Sequence, residues 1–401
     1  MSGGLIKIKR EKKDGGKEEE KMAEGSPSSK SFAFLCQIKE FTRNLVKNLS
    51  RGNLPVIALD RYRSYCNLTD PTDSCCCSGI AKKKLISMER ASHAQRLDVL
   101  LRVLLIIQQL LQENKHASKR DIYYMHPTIF TDQETVDRAI NDICSFFRCS
   151  RHDLNVVSAN NGLVMGWLRF VEAEHKFDCA TYPNTNLILR LEAIGIAISL
   201  SGYIDIISTA SYILVVEKET VFQRLADDKF CQSNRCIVLT GRGYPDVSTR
   251  RFLRLLIDEL HLPAYCLVDC DPYGFEIMMT YRFGSMQMAF DAKSLCIPEL
   301  RAIGTFPSDL RTYHLPDRCL LPLTPREQYM MVLSSIASDR GKAKAMLQRC
   351  YLHQQAPELR SELQEMLQCG VKFEMEALCV TSFSILSEEY IPSKIEGGMY
   401  I

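Results

Sequence analysis

Three short apolar runs constrain this chain more than anything else in it: Ser211–Val216 (SYILVV), Arg235–Thr240 (RCIVLT) and Ala264–Asp269 (AYCLVD). Stretches of helical spacing separate them, VFQRLADDKF after the first and STRRFLRLLIDEL after the second. Unbroken runs of β-branched and large apolar residues suit strands buried on both faces. A helix between each pair implies right-handed crossovers and a parallel sheet. The loop GRGYPD after the second run lacks the GxGxxG spacing, so no dinucleotide site is expected there. Its Gly241 and Gly243, with Arg242 between them, would instead let backbone and a cation approach a phosphate.

In open α/β sheets, functional groups gather at the carboxyl ends of the strands. Glu217 ends the first run, Asp269 ends the third, and Asp271 follows two residues later. Three carboxylates converging there, unshielded by lysine, repel one another unless a hard cation neutralises them, and Mg²⁺ takes oxygen ligands of this kind. The competing role for Asp269 and Asp271 is simply to cap the helix that follows.

The preceding segment has a different pattern. Gln95–Gln112 (QRLDVLLRVLLIIQQLLQ) is a strongly apolar helix. Ser118 with Asp121 forms a capping box that opens a short helix through Tyr123 and Tyr124. Thr131 with Glu134 forms a second, ahead of a helix that puts Val136, Ile140, Ile143 and Phe147 on one face. Leu154–Phe170 (LNVVSANNGLVMGWLRF) then gives two strands around the turn signal Asn161-Gly162. Three helices and a hairpin make a winged helix, a helix-turn-helix variant that commonly docks on DNA. Arg138, Arg148, Arg151 and His152 supply positive charge beside it. The expected fold class is therefore mixed α/β, a winged-helix domain followed by a domain with a Rossmann-like parallel sheet.

A metal site in one domain and a tyrosine on a DNA-binding unit in the other point to phosphoryl transfer on DNA. A phenol with a pKa near ~10 needs a neighbouring base or cation, and the leaving 3′-oxygen needs a Lewis acid. Arg120 is placed to steady a phosphate.

The chain of 401 residues accommodates two domains, and its net charge of +2 means that any DNA-binding surface must come from local clustering. The 17 cysteines form no CxxC pair, and Cys75-Cys76-Cys77 has no histidine at zinc spacing, so reduced thiols in an intracellular compartment are expected. Leu187–Ser208 is apolar but interrupted by Arg190, Glu192 and Asp205, which argues against a membrane span. Residues 1–30 read as a disordered basic and acidic tail in which Lys7–Lys13 (KIKREKK) matches a nuclear localisation signal, with a solvated tail as the competing role. Residues 31–52 read as an amphipathic helix outside the main body, with Phe34, Ile38, Phe41, Leu45 and Leu49 on one face. It serves either its own domain or a partner. The remaining divisions are 90–172 for the winged helix, 173–209 for an interdomain linker, and 210–401 for the sheet domain with its C-terminal helices.

KRDIYY, SANNGLVMG, ILVVEKETVFQRLADDKF, TGRGYPD, LVDCDPYGFEIM, GVKFEMEAL and EEYIPSKI, in this order from about Gln95 onward, resemble the family of topoisomerase VI A subunits and their eukaryotic meiotic relatives. The resemblance implies a winged helix bearing the nucleophile and a Toprim domain binding Mg²⁺. By position, Tyr124 matches the nucleophile, Arg120 and Asp121 its supporting pair, and Glu217, Asp269 and Asp271 the metal carboxylates. Tyr123 stands where relatives carry Phe, which makes it a packing residue. Arg138, Arg151, Asn161, Gly162, Arg242 and Tyr244 are the expected DNA contacts, Tyr244 falling in the family's DNA-contacting loop. The implied reaction is a type IIB topoisomerase-like transesterification of double-stranded DNA in the nucleus. It leaves a 5′-phosphotyrosyl end and starts meiotic recombination. The implied partners are a second copy or a paralogue, each tyrosine working with the other protomer's metal site, and a topoisomerase-VI-B-like subunit. No Walker A motif is present, so ATP-linked gating would belong to that partner. A somatic topoisomerase VI protein that reseals its cuts and a catalytically idle DNA-binding scaffold are the alternatives. The pattern departs from the family at Cys270, where relatives usually carry Ala, and over the stretches near 185–201 and 327–341.

Overall fold

The computed structural model describes residues 6–7, 29–62, 80–88, 90–157, 161–172, 175–180, 206–284, 295–324, 339–380 and 382–401. Nearly all of the tail, the cysteine triplet, the stretch 185–201 and most of 327–341 lie outside them. Within the expected disordered tail, Ile6–Lys7 (β1) forms a short strand.

The N-terminal unit is helical. It contains α1 (Ser29–Ser50), the strands β2 (Val56–Tyr62) and β3 (Ile80–Ser87), α2 (Ala91–Gln112), β4 (Ala117–Ser118), α3 (Lys119–Met125), α4 (Pro127–Phe130), α5 (Gln133–Phe147) and β5 (Val156–Val157). Its core joins Leu35 and Ile38 of α1 to Val103, Ile107 and Leu111 of α2, Ile122 of α3 and Val136, Ile140 and Ile143 of α5. Helix α1 therefore lies on the body of the unit, against the expectation of a helix outside it, because Leu35 and Ile38 share one face and are buried there. The antiparallel pair β2–β3, unsignalled in the sequence, sets Ile57, Leu59 and Ile86 against Leu97.

Two local expectations differ in detail. Helix α5 is capped by Asp132, whose carboxylate accepts from Thr135 N at 2.6 Å. Thr131 sits at φ +59, outside the geometry a cap needs, so it forms no capping box with Glu134. Among the described residues no hairpin forms around Asn161-Gly162 either. β5 pairs in parallel with β4, while β6 (Leu163–Gly166) leaves the unit and pairs antiparallel with the sheet of the second domain. All four residues of β6 are buried, Val164 on one side of that sheet and Leu163 and Met165 on the other. An apolar run with no polar alternation belongs in a doubly covered sheet, not in a solvent-washed wing.

The chain then forms β7 (Leu168–Glu172), β8 (His175–Asp178) and β9 (Ile206–Ser208), an antiparallel group joined at its edge by β1, so parts of the expected linker are ordered strands. The central sheet follows: β10 (Tyr212–Val216), α6 (Glu219–Asp227), α7 (Phe230–Asn234), β11 (Cys236–Thr240), α8 (Val247–Leu260), β12 (Ala264–Leu267), α9 (Pro272–Phe283) and β13 (Arg301–Gly304). Its strand order is β13-β12-β10-β11-β6, with β10, β11 and β12 parallel as expected and β13, not among the expected strands, parallel to β12. Helices cover both faces and give it two cores, one lined by Phe252, Leu256 and Phe275, the other by Phe222, Leu225 and Tyr390. The C-terminal Ile401 exchanges two backbone hydrogen bonds with Ala302 of β13. Among the described residues no helix is long and apolar enough to cross a membrane.

Candidate active site

β10 and β12 are neighbours in register, so their carboxyl ends deliver Glu217 and Asp269 to one spot. The backbone N–H of Asp269 donates to Glu217 Oε2 at 2.9 Å, and Glu217 N donates to Leu267 O at 3.0 Å. The loop after β11 closes over the same place: Gly243 N donates to the Glu217 carbonyl at 2.9 Å, as does Thr240 Oγ1 at 3.2 Å. Asp271 caps α9, its Oδ1 accepting from Tyr273 N at 2.8 Å and Gly274 N at 2.7 Å. A Cβ on Gly274 would lie 3.0 Å from Glu217 Oε2 and from Asp269 N, so only glycine lets α9 start this close to both acids.

The environment disfavours charge on all three. Burial and the Asp269 carboxylate push Glu217 up to about 8. Burial raises Asp269 to about 6 and raises Asp271 in the same direction. The expectation that lysine does not shield them is corrected here: Lys218 Nζ lies 2.9 Å from Asp269 Oδ2 and 2.9 Å from carboxylate oxygens of Glu374 and Glu376. Lys218 follows Glu217 directly, and the extended backbone that turns the chain into α6 brings its side chain back over the strand ends.

As the side chains stand, no three metal-binding residues among those described are grouped closely enough to hold an ion. The chemistry of the set nonetheless fits a hard cation. Glu217 Oε1 and Asp271 Oδ2 accept no hydrogen bond among the described residues. Burial raises the proton affinity of all three acids, which makes the charged forms costly there without a cation. Glu217, Asp269 and Asp271 are the residues that would hold Mg²⁺.

The two adjacent tyrosines differ in burial. Tyr123 packs against the core of the N-terminal unit, whereas Tyr124 is 64 % exposed. Their rings meet edge to face at 5.2 Å between centroids. The capping box is present: Asp121 N donates to Ser118 Oγ at 3.1 Å, and Ser118 N donates to Asp121 Oδ2 at 2.8 Å. Asp121 thus anchors the start of α3, one turn from Tyr124. Arg120 is exposed and forms no hydrogen bond or ion pair among the described residues.

No hydrogen bond, ion pair or ring contact among the described residues links Tyr124 or Arg120 to Glu217, Asp269 or Asp271, and the cores beneath them are separate. The expected DNA-contacting residues scatter accordingly. Arg138 pairs with Glu134 at 3.0 Å, and Arg151 donates to Asn141 at 2.6 Å. Asn161 N donates to Asp246 at 2.7 Å, and Gly162 is buried, so neither marks the tip of a wing. Arg242, in the left-handed region at φ +56, pairs with Glu219 at 2.9 Å. Tyr244 donates its hydroxyl to Glu276 and accepts from Lys342 at 2.8 Å. Its ring remains half exposed.

Four groups around Asp269 escape the sequence patterns: Lys218, Glu374, Glu376 and the backbone N–H of Met375, which donates to Asp269 Oδ1 at 2.9 Å. The acids two apart in KFEMEA, far along the chain, are the one available signal.

Comparison with known proteins agrees with this architecture. The family model for the Toprim domain of the topoisomerase 6 A subunit and Spo11 matches residues 212–395, and the model described as "Type IIB DNA topoisomerase" matches 95–156. The meiotic recombination protein SPO11-1 of Arabidopsis thaliana is 56% identical over 92% of this chain and 96% of its own length. The meiotic recombination protein SPO11 of Homo sapiens is 35% identical over 94% of this chain and 91% of its own. The A subunit of DNA topoisomerase 6 from Arabidopsis thaliana is 35% identical over 79% of this chain and 69% of its own.

Proposed function

Because the chain belongs to the family of Spo11 and the topoisomerase 6 A subunit, a topoisomerase-like DNA-cleaving enzyme that forms the double-strand breaks of meiotic recombination, we propose that Tyr124 is its nucleophile and that the reacting centre is shared between two protomers. The observation that carries this reading is the separation of parts. An exposed tyrosine stands on a capped helix of one unit, and a largely buried carboxylate cluster lies in the other, with no hydrogen bond, ion pair or ring contact between them among the described residues. A second protomer presenting its strand ends to α3 completes the site, each tyrosine meeting its partner's acids.

Tyr124 Oη attacks a backbone phosphorus, loses its proton, and stays bonded to the 5′ end while the 3′-oxygen leaves as a hydroxyl. Arg120, unpaired among the described residues, faces the phosphate and balances its charge. Asp121 holds the first turn of α3 and so fixes the direction in which Tyr124 points. Bound at Glu217, Asp269 and Asp271, Mg²⁺ supplies the Lewis acidity that a departing 3′-oxygen needs. Tyr244 and Arg242 line the loop beside these acids and offer a cation and a ring to the DNA backbone. A topoisomerase-VI-B-like subunit is the further partner, ATP use belonging to it. The site of action is the nucleus.

Covalent trapping tests the assignment. Wild type and Tyr123→Phe yield protein joined to 5′ DNA ends, and Tyr124→Phe yields none. Linked 5′ ends from Tyr124→Phe would sink it.

A further inference from the structure

Asp269 has two carboxylate oxygens, and both are occupied. Oδ1 accepts from Met375 N at 2.9 Å, and Oδ2 faces Lys218 Nζ at 2.9 Å. A cation that binds Asp269 through Oδ2 therefore meets the lysine there, and one that binds through Oδ1 shares that oxygen with Met375 N. The ammonium has a second resting place, since Glu374 and Glu376 each lie 2.9 Å from it. Glu376 is itself tied to the first turn of α6 by Thr220 Oγ1 at 3.3 Å, so it stays in position if the lysine moves. Glu374 is 61 % exposed, on the solvent side of the cluster, whereas Asp269 is 6 % exposed.

We propose that Lys218 is a built-in counter-ion that competes with the divalent cation for Asp269, yielding to it by pivoting onto Glu374 and Glu376. The lysine balances the buried carboxylates while the metal is away, and it sets the metal affinity lower than three acids alone would give. The proposal rests on the reading that Glu217, Asp269 and Asp271 hold the cation. A purely structural lysine has the opposite consequence. If Lys218 only tethered Glu374–Glu376, removing it would loosen Met375 from Asp269 and weaken metal binding.

The test is Mn²⁺ binding to the full chain, followed by electron paramagnetic resonance of the free ion, with Mg²⁺ as displacer. Lys218→Met is expected to bind roughly three- to tenfold more tightly than wild type, as loss of one competing charge at a partly screened site allows. Lys218→Arg keeps the charge and stays near the wild-type value. In an Asp269→Asn background, Lys218→Met brings no gain, because the contested carboxylate is gone. Unchanged or weaker binding by a folded Lys218→Met overturns the proposal while leaving the metal site in place. Should Lys218→Met not fold, Lys218→Gln takes its place, with tighter binding expected and unchanged or weaker binding again overturning the proposal. Wild type without saturable Mn²⁺ binding overturns the metal reading and the proposal with it.

Discussion

The tyrosine helix and the carboxylate cluster solve opposite problems. On α3 the proposed nucleophile Tyr124 is exposed, its neighbours Tyr123 and Ile122 are packed, and a capping box opens the helix. At the strand ends Asp269 is buried and Glu217 and Asp271 are half-buried, the acids held by backbone N–H groups and Asp269 balanced by a lysine. The difference teaches what each half needs from outside. The tyrosine needs a surface brought to it, and the acids need a cation. On the proposed reading neither half is complete alone, and DNA, metal and a second protomer must coincide before a strand is cut.

Changes that blur this contrast should cost most where burial is deepest. Gly274→Ala forces a side chain against the Asp269 backbone and Glu217 Oε2. Overpacking at such a site costs about 1–3 kcal/mol, so a lowered midpoint in urea unfolding is expected together with loss of metal binding. On the tyrosine side, Ser118→Ala removes one arm of the capping box and should cost about 1 kcal/mol, read in the same assay, with slower covalent capture of DNA as α3 frays.

A smaller effect separates the two halves by pH. Glu217 rises from 4.5 to about 8 and Asp269 from 3.8 to about 6 on folding, so each binds a proton more tightly in the metal-free fold than in the unfolded chain. That fold accordingly loses stability as pH rises through this window, to about 8. Mg²⁺ must displace those protons, so its stabilisation of the melting temperature should grow between pH 6 and 8 and vanish in Glu217→Gln. A metal shift independent of pH would show that these acids are not the ligands.

Much of the sheet domain was legible because its signals are local. Uniformly apolar strands, an acid at the ends of the first and third, and helical spacing between them lie within about sixty residues, from Tyr212 to Asp271. The capping box at Ser118 and Asp121 was legible for the same reason. The errors came where distant segments decide. β6 follows a turn signal, yet its partner is β11, seventy residues on, and pairing with a buried sheet outweighed the local Asn-Gly preference. Gly166, at φ +111, faces the carbonyl of Cys236, so this close strand approach depends on a glycine whose meaning emerges only with its partner. Glu374 and Glu376 reach Lys218 across more than 150 residues, and no spacing rule relates them.

The claim that two protomers share each reacting centre can be read from one mixing experiment. Tyr124→Phe and Asp269→Asn proteins are each expected to be inactive alone. In a mixed dimer of the two, one composite centre keeps both Tyr124 and an intact set of acids, so covalent capture of a single DNA strand should return. A mixture as inactive as either variant would place tyrosine and acids in the same protomer and contradict the shared centre.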